Sequence, residues 1–85
     1  VAQLEWLTVL VLNRNFLLAL PESIPAKLTN LQELYLSYNN LQTLPSNIGN
    51  LRKLSVLLLI HNDITSIPPS FANLDRLARL EIDHN

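Results

Sequence analysis

Residues 54–62 read LSVLLLIHN. A strand with one face on a core alternates apolar and polar residues, because successive side chains point to opposite faces. Val56 to Ile60 are all apolar. Leu57 and Leu59 can face a core, so Val56, Leu58 and Ile60 must face the other way. The same frame returns at a fixed step: LQELYLSYN (31–39) lies 23 residues before it and LARLEIDHN (77–85) lies 23 residues after it. A fourth copy, LTVLVLNRN, occupies 7–15. A period of this length is the mark of a stacked-repeat architecture, in which each unit buries its apolar face only against its neighbours.

The rest of the unit repeats as well. Pro45 and Pro68, Ile48 and Phe71, and Leu51 and Leu74 keep the step. The first unit runs Leu17, Leu20, Pro21, Ile24 with one extra residue before Leu31, around Pro25-Ala26-Lys27. The expected organisation is a single array: a partial unit at 1–6, units at 7–30, 31–53 and 54–76, and a partial unit at 77–85. No capping unit is identifiable, so both ends are expected to expose Leu rows. The short alternating segment L-x-L predicts a strand of a few residues. Strands one unit apart would pair in parallel about 4.8 Å apart, and the remainder of each unit supplies the crossover that parallel pairing needs. The Leu-Pro step removes a backbone donor and fixes φ, which turns the chain into a short irregular or helical return. The Asn that closes each strand (Asn15, Asn39, Asn62, Asn85) carries donors and an acceptor together. It suits the buried backbone groups of the turn, which need partners.

The unit L-x-x-L-x-L-x-x-N-x-(L/I)-x-x-(L/I)-P-x-x-(I/F)-x-x-L resembles the leucine-rich repeat family over the whole chain. The 23-residue length, the LPxxI segment and the IGNL stretch at 48–51 are similar to intracellular repeats of the Ras-group and Erbin–Densin–Scribble type. The resemblance implies an α/β solenoid, an open horseshoe arc with short parallel strands on the concave face and irregular or short helical returns on the convex face. It also implies a protein-interaction role, with a small GTPase as one class of partner. Similar repeats precede catalytic domains in cyclases and kinases, which implies the alternative: a regulatory or targeting segment of a multidomain enzyme. A self-associating structural array is a third reading.

Outward positions are read strand by strand. They are Val9, Val11; Glu33, Tyr35; Val56, Leu58, Ile60; and Arg79, Glu81, Asp83, with Tyr38 beside the Asn row. An apolar patch with a charged rim suits a protein partner, and tyrosine is a frequent anchor. Cover by another part of a longer chain, or simple tolerated exposure, would also account for it. The row Arg14, Tyr38, His61, His84 brings two imidazoles one strand step apart, but a metal centre ordinarily wants three or four ligands, and two solvated histidines are the expectation.

Other chemistry is sparse. With 85 residues, a net charge of −1 and six scattered basic residues, the chain has no electrostatic footprint for nucleic acid or an anionic membrane. No Cys is present, so there is neither a disulfide framework nor a thiolate zinc site. Together with the lack of an N-x-S/T acceptor this leans towards the cytoplasm. No apolar run reaches the roughly 18 residues of a membrane span, and VAQLEWL at the start is not a signal peptide. Glu81 and Asp83 share one strand face without a cleft to separate their pKa values. The single glycine, Gly49, cannot form a phosphate loop. The expectation is a binding module rather than an enzyme, without cofactor.

Overall fold

The structure is a computed structural model and describes residues 5–85; the first four residues of the partial unit expected at 1–6 lie outside the described residues. Four three-residue strands, β1 (Val9–Val11), β2 (Glu33–Tyr35), β3 (Val56–Leu58) and β4 (Arg79–Glu81), form one parallel sheet in chain order. Leu10, Leu34, Leu57 and Leu80 stand in register across it. That row is fixed by the period: a slip of one residue would turn every core leucine outward. The backbone pairing continues past the strands, with Tyr38 N–H donating to Ile60 O at 2.8 Å and His61 N–H to Asp83 O at 3.1 Å.

Each of the first three strands returns through one short helical turn. In the second and third units this is a 3-10 turn, at Ile48–Asn50 and Pro69–Asn73, closed by Leu51 N–H to Ile48 O and Leu74 N–H to Phe71 O, both 3.1 Å. In the first unit the extra residue widens the turn to a true α-helical one, α1 (Ser23–Lys27). There Leu28 N–H reaches four residues back to Ile24 O at 2.9 Å. Pro25 is accommodated because a first-turn residue has no intrahelical partner for its missing N–H.

The core fills the space between sheet and returns. Leu31, Leu34, Leu36, Leu41, Ile48, Leu51, Leu54, Leu57 and Leu59 are fully excluded from solvent. Each such side chain stabilises the fold by roughly 1.5–3 kcal/mol, and the second and third units hold all of them. In the last strand segment the matching residues, Leu80 and Ile82, are exposed. Burial of an inward residue therefore depends on a neighbouring unit on each side.

The asparagines form a ladder between units. Asn39 Oδ1 accepts from Asn15 N–H at 2.9 Å and Leu17 N–H at 3.0 Å, while its Nδ2 donates to Leu12 O and Leu36 O, both at 2.9 Å. Asn62 repeats this one unit on, accepting from Leu41 N–H at 3.1 Å and donating to Leu36 O and Leu59 O at 2.9 and 3.1 Å. Asn85 accepts from Ile64 N–H at 3.1 Å and donates to Leu59 O and Ile82 O. Each amide thus closes its own turn and clamps the turn of the unit before. The residue ahead of each ladder Asn is left-handed: Arg14, Tyr38, His61 and His84 have φ of 60°, 61°, 58° and 64°. This conformation costs roughly 1–2 kcal/mol for a residue with a side chain.

The return side has its own contact. A Cβ on Gly49 would lie 2.3 Å from the Ser70 carbonyl oxygen, and Ser70 Oγ accepts from Gly49 N–H at 3.0 Å while donating to Ser46 O at 2.7 Å. Adjacent returns approach too closely there for any side chain.

Two substitutions test this scheme in denaturant melts. Asn39→Ala leaves two donors and two acceptors without their amide and is expected to lower stability by about 1–3 kcal/mol. Gly49→Ala is expected to lower it by about 1–3 kcal/mol through forced separation of the returns. No loss for the first removes the ladder from its structural role, and no loss for the second removes the close approach.

Candidate protein-binding face

Alternation along each strand sends every second side chain to the face opposite the core. The register places Val9, Glu33, Val56 and Arg79 in one row and Val11, Tyr35, Leu58 and Glu81 in the next. Val9 and Val11 are exposed, at 42% and 59%, whereas Glu33, Tyr35, Val56, Leu58 and Ile60 are half-buried among their neighbours. Arg79 and Asp83 are exposed and Glu81 is half-buried. The sequence-derived rows are thus brought together side by side on one surface.

Glu33, Arg79 and Glu81 on that surface are partnered within their own strands. Arg79 Nε lies 2.9 Å from Glu81 Oε2, which leaves Asp83 as the carboxylate of β4's continuation outside that pair. The Tyr35 hydroxyl donates to Glu33 Oε1. Acceptance by the Glu33 carboxylate holds the Tyr35 phenol above its ordinary pKa, with partial burial and the negative charge of Glu33 acting in the same direction. Tyr35 is therefore pinned in its neutral form between Val11 and Leu58.

The next outward row, Asn13, Ser37, Ile60 and Asp83, is tied together in part by its own hydrogen bonds. Asn13 Oδ1 accepts from Ser37 N–H at 2.8 Å, and Ser37 Oγ accepts from Ile60 N–H at 3.1 Å. Ser37 is buried. This is a second, shorter polar ladder, and it leaves Ile60 and Asp83 as the members of the row available to an outside group.

Beyond it the four left-handed residues form a stacked column. The Arg14 guanidinium lies 4.2 Å over the Tyr38 ring, the Tyr38 and His61 rings are 4.6 Å apart at 18°, and His61 and His84 are 4.3 Å apart at 7°. The repeat spacing foretold their adjacency. Their parallel stacking follows from the shared left-handed backbone, which aims all four Cα–Cβ bonds the same way. A shallow groove of about 310 Å³ runs beside the column, lined by Arg14, Phe16, Tyr38, Asn39, Asn40 and His61. Phe16, 83% exposed, occupies the position held by Asn40 and Asp63 in later units, so a hydrophobic residue breaking a polar column was the available signal for it. Among the described residues no three His, Asp or Glu side chains converge on one point, and no helix is long and apolar enough to cross a membrane.

Comparison with known proteins agrees with this geometry. A family model described as leucine-rich repeat matches residues 5–64. The solved structure of a leucine-rich repeat protein of Leptospira interrogans is similar over 96% of this chain, with 38% identity and a TM-score of 0.87. The chain spans 21% of that protein's length.

The Glu33–Tyr35 hydrogen bond makes a spectroscopic prediction. In a Tyr38→Phe background, absorbance titration of Tyr35 is expected to show a midpoint above the ordinary tyrosine range, and Glu33→Gln is expected to lower it. The linked stability is present below the ordinary tyrosine pKa and lost as pH rises through the elevated one. An unchanged midpoint in the variant removes Glu33 as the cause.

Proposed function

The chain belongs to the leucine-rich repeat family, and on that premise we propose that it holds a protein partner against the outward face of its parallel sheet. The observation that carries this reading is the third strand, where Val56, Leu58 and Ile60 present three consecutive outward apolar side chains next to Tyr35. Their desolvation by a partner would stabilise a complex in proportion to the apolar area covered. Tyr35 and Tyr38 offer rigid anchors with hydroxyl handles. Val9 and Val11 extend the apolar zone over the first strand, and Arg79, Glu81 and Asp83 supply a charged rim that discriminates by complementarity rather than bulk affinity. Glu33 is committed to Tyr35 and acts by holding it. Similarity of the LPxxI unit to Ras-group repeats supports a signalling or scaffolding setting and a small GTPase as the partner class.

The face assignment is tested by two adjacent positions with opposite orientation. Leu58 faces outward and Leu59 is fully buried. Affinity capture from cell lysate is expected to lose a specific partner with Leu58→Glu while circular dichroism stays native. Leu59→Glu is expected to unfold the protein, because an unpaired carboxylate cannot replace a core leucine. Capture that survives Leu58→Glu overturns the assignment of the face.

A further inference from the structure

We propose that the groove beside Phe16 takes an acidic, aromatic segment of a protein partner, with an aromatic side chain against Phe16 and Tyr38 and a neighbouring carboxylate on Arg14. Phe16 is a side chain at odds with its own backbone. It is left-handed, with φ of 57°, a conformation that suits Asn or Asp and is unfavourable for a bulky residue. The equivalent positions of later units hold Asn40 and Asp63, and neither of these is left-handed. Packing within the fold does not offset the choice of Phe, because the residue is 83% exposed. The turn that carries it is nonetheless firm. Asn39 Oδ1 accepts from the N–H groups on both sides of Phe16, Asn15 at 2.9 Å and Leu17 at 3.0 Å, and Asn40 N–H donates to Leu17 O at 2.8 Å. An exposed ring on a clamped turn has little backbone freedom left to lose when a partner covers it.

Arg14 supplies the charge. Its guanidinium lies 4.2 Å from the centre of the Tyr38 ring, and its backbone N–H donates to Ser37 O at 3.0 Å. Among the described residues the one ion pair is Arg79 with Glu81, so Arg14 meets no carboxylate there, and none lines the groove. A guanidinium held on a ring is matched in shape and charge to a carboxylate. The row Phe16, Asn40, Asp63 runs from apolar through polar to acidic, which favours the partner's carboxylate at the Arg14 end and repels it from the other. A nucleic acid strand would also stack on aromatic side chains, but it would meet Asp63 and a chain of net charge −1. The groove shares no residue with the apolar patch of Val56, Leu58 and Ile60. Its assignment rests on the chain's role as a protein-binding module and not on that patch.

NMR titration of the whole chain with a blocked hexapeptide of alternating glutamate and phenylalanine tests the groove. Saturable shifts are expected at the backbone N–H groups of Phe16, Tyr38 and Asn40. The glutamine–phenylalanine counterpart is expected to bind about tenfold more weakly, through loss of the charge-assisted hydrogen bonds, and the lysine–phenylalanine counterpart not to bind. Arg14→Asn and Phe16→Asn use a residue that adopts the left-handed backbone readily. Each is expected to weaken binding about tenfold while circular dichroism stays native. The assignment is overturned by the absence of saturable shifts, by equal binding of the three peptides, by binding unchanged in either variant, or by shifts confined to Val56, Leu58 and Ile60. It is also overturned if hexathymidylate moves the same signals more strongly, or if dilution of the protein alone moves them, which makes a second copy the occupant. Should a variant lose its fold, the three peptides on the wild-type chain decide the matter. None of these outcomes bears on the Leu58→Glu capture experiment, so the groove and the sheet face fail separately.

Discussion

A side-chain amide that bonds backward as well as inward is the interaction on which this molecule depends. A parallel solenoid turns its chain at the end of every strand, and the turn leaves N–H and C=O groups facing the interior, where water cannot serve them. Asn39 and Asn62 satisfy those groups in two units at once. Because the same atoms close one turn and clamp the last, unit shape and unit spacing cannot vary separately. Leucine rows supply most of the free energy, but they are non-directional. Directionality comes from the amides together with the backbone bonds of the sheet, which hold Leu10, Leu34, Leu57 and Leu80 in the row the period sets.

The outward face inherits its order from that inner scaffold. Its side chains stand in rows because the ladder and sheet set the step, and Tyr38, His61 and His84 stack because the turn before each ladder Asn demands one left-handed residue. Stacking recovers part of the conformational cost of placing large side chains there, so strain and surface chemistry are linked. Gly49 makes the same point on the return side. Its lack of a Cβ is required by Ser70 of the next unit and by no special φ of its own.

The rows, the inward leucines and the Asn positions were legible in the sequence because each depends only on period. The one extra residue of the first return was legible too, but not the α-helical turn it forms. What stayed hidden depends on how neighbouring units touch. Ser37 looks like an exposed strand residue in sequence, yet it is drawn under by Ile60 N–H and Asn13 Oδ1. Glu81 and Asp83 read as a matched acidic pair, whereas Arg79 takes Glu81 for itself. Periodicity locates His61 beside His84 but says nothing of ring orientation, which the backbone conformation decides. The role of Gly49 stayed hidden for the same reason: its partner lies one unit away and is a backbone atom.

Hydrogen exchange of the ladder tests this account most directly. NMR can follow the Asn side-chain amide protons together with the backbone N–H groups of Leu17 and Leu41, which bond to Asn39 and Asn62. If the ladder sets the fold, the Asn39 and Asn62 amide protons and these two N–H groups exchange as slowly as the strands, through global opening, while the exposed Asn15 side chain exchanges fast. Fast exchange at Asn39 and Asn62 beneath protected strands would show that the leucine rows hold the repeat without the amides, and would contradict it.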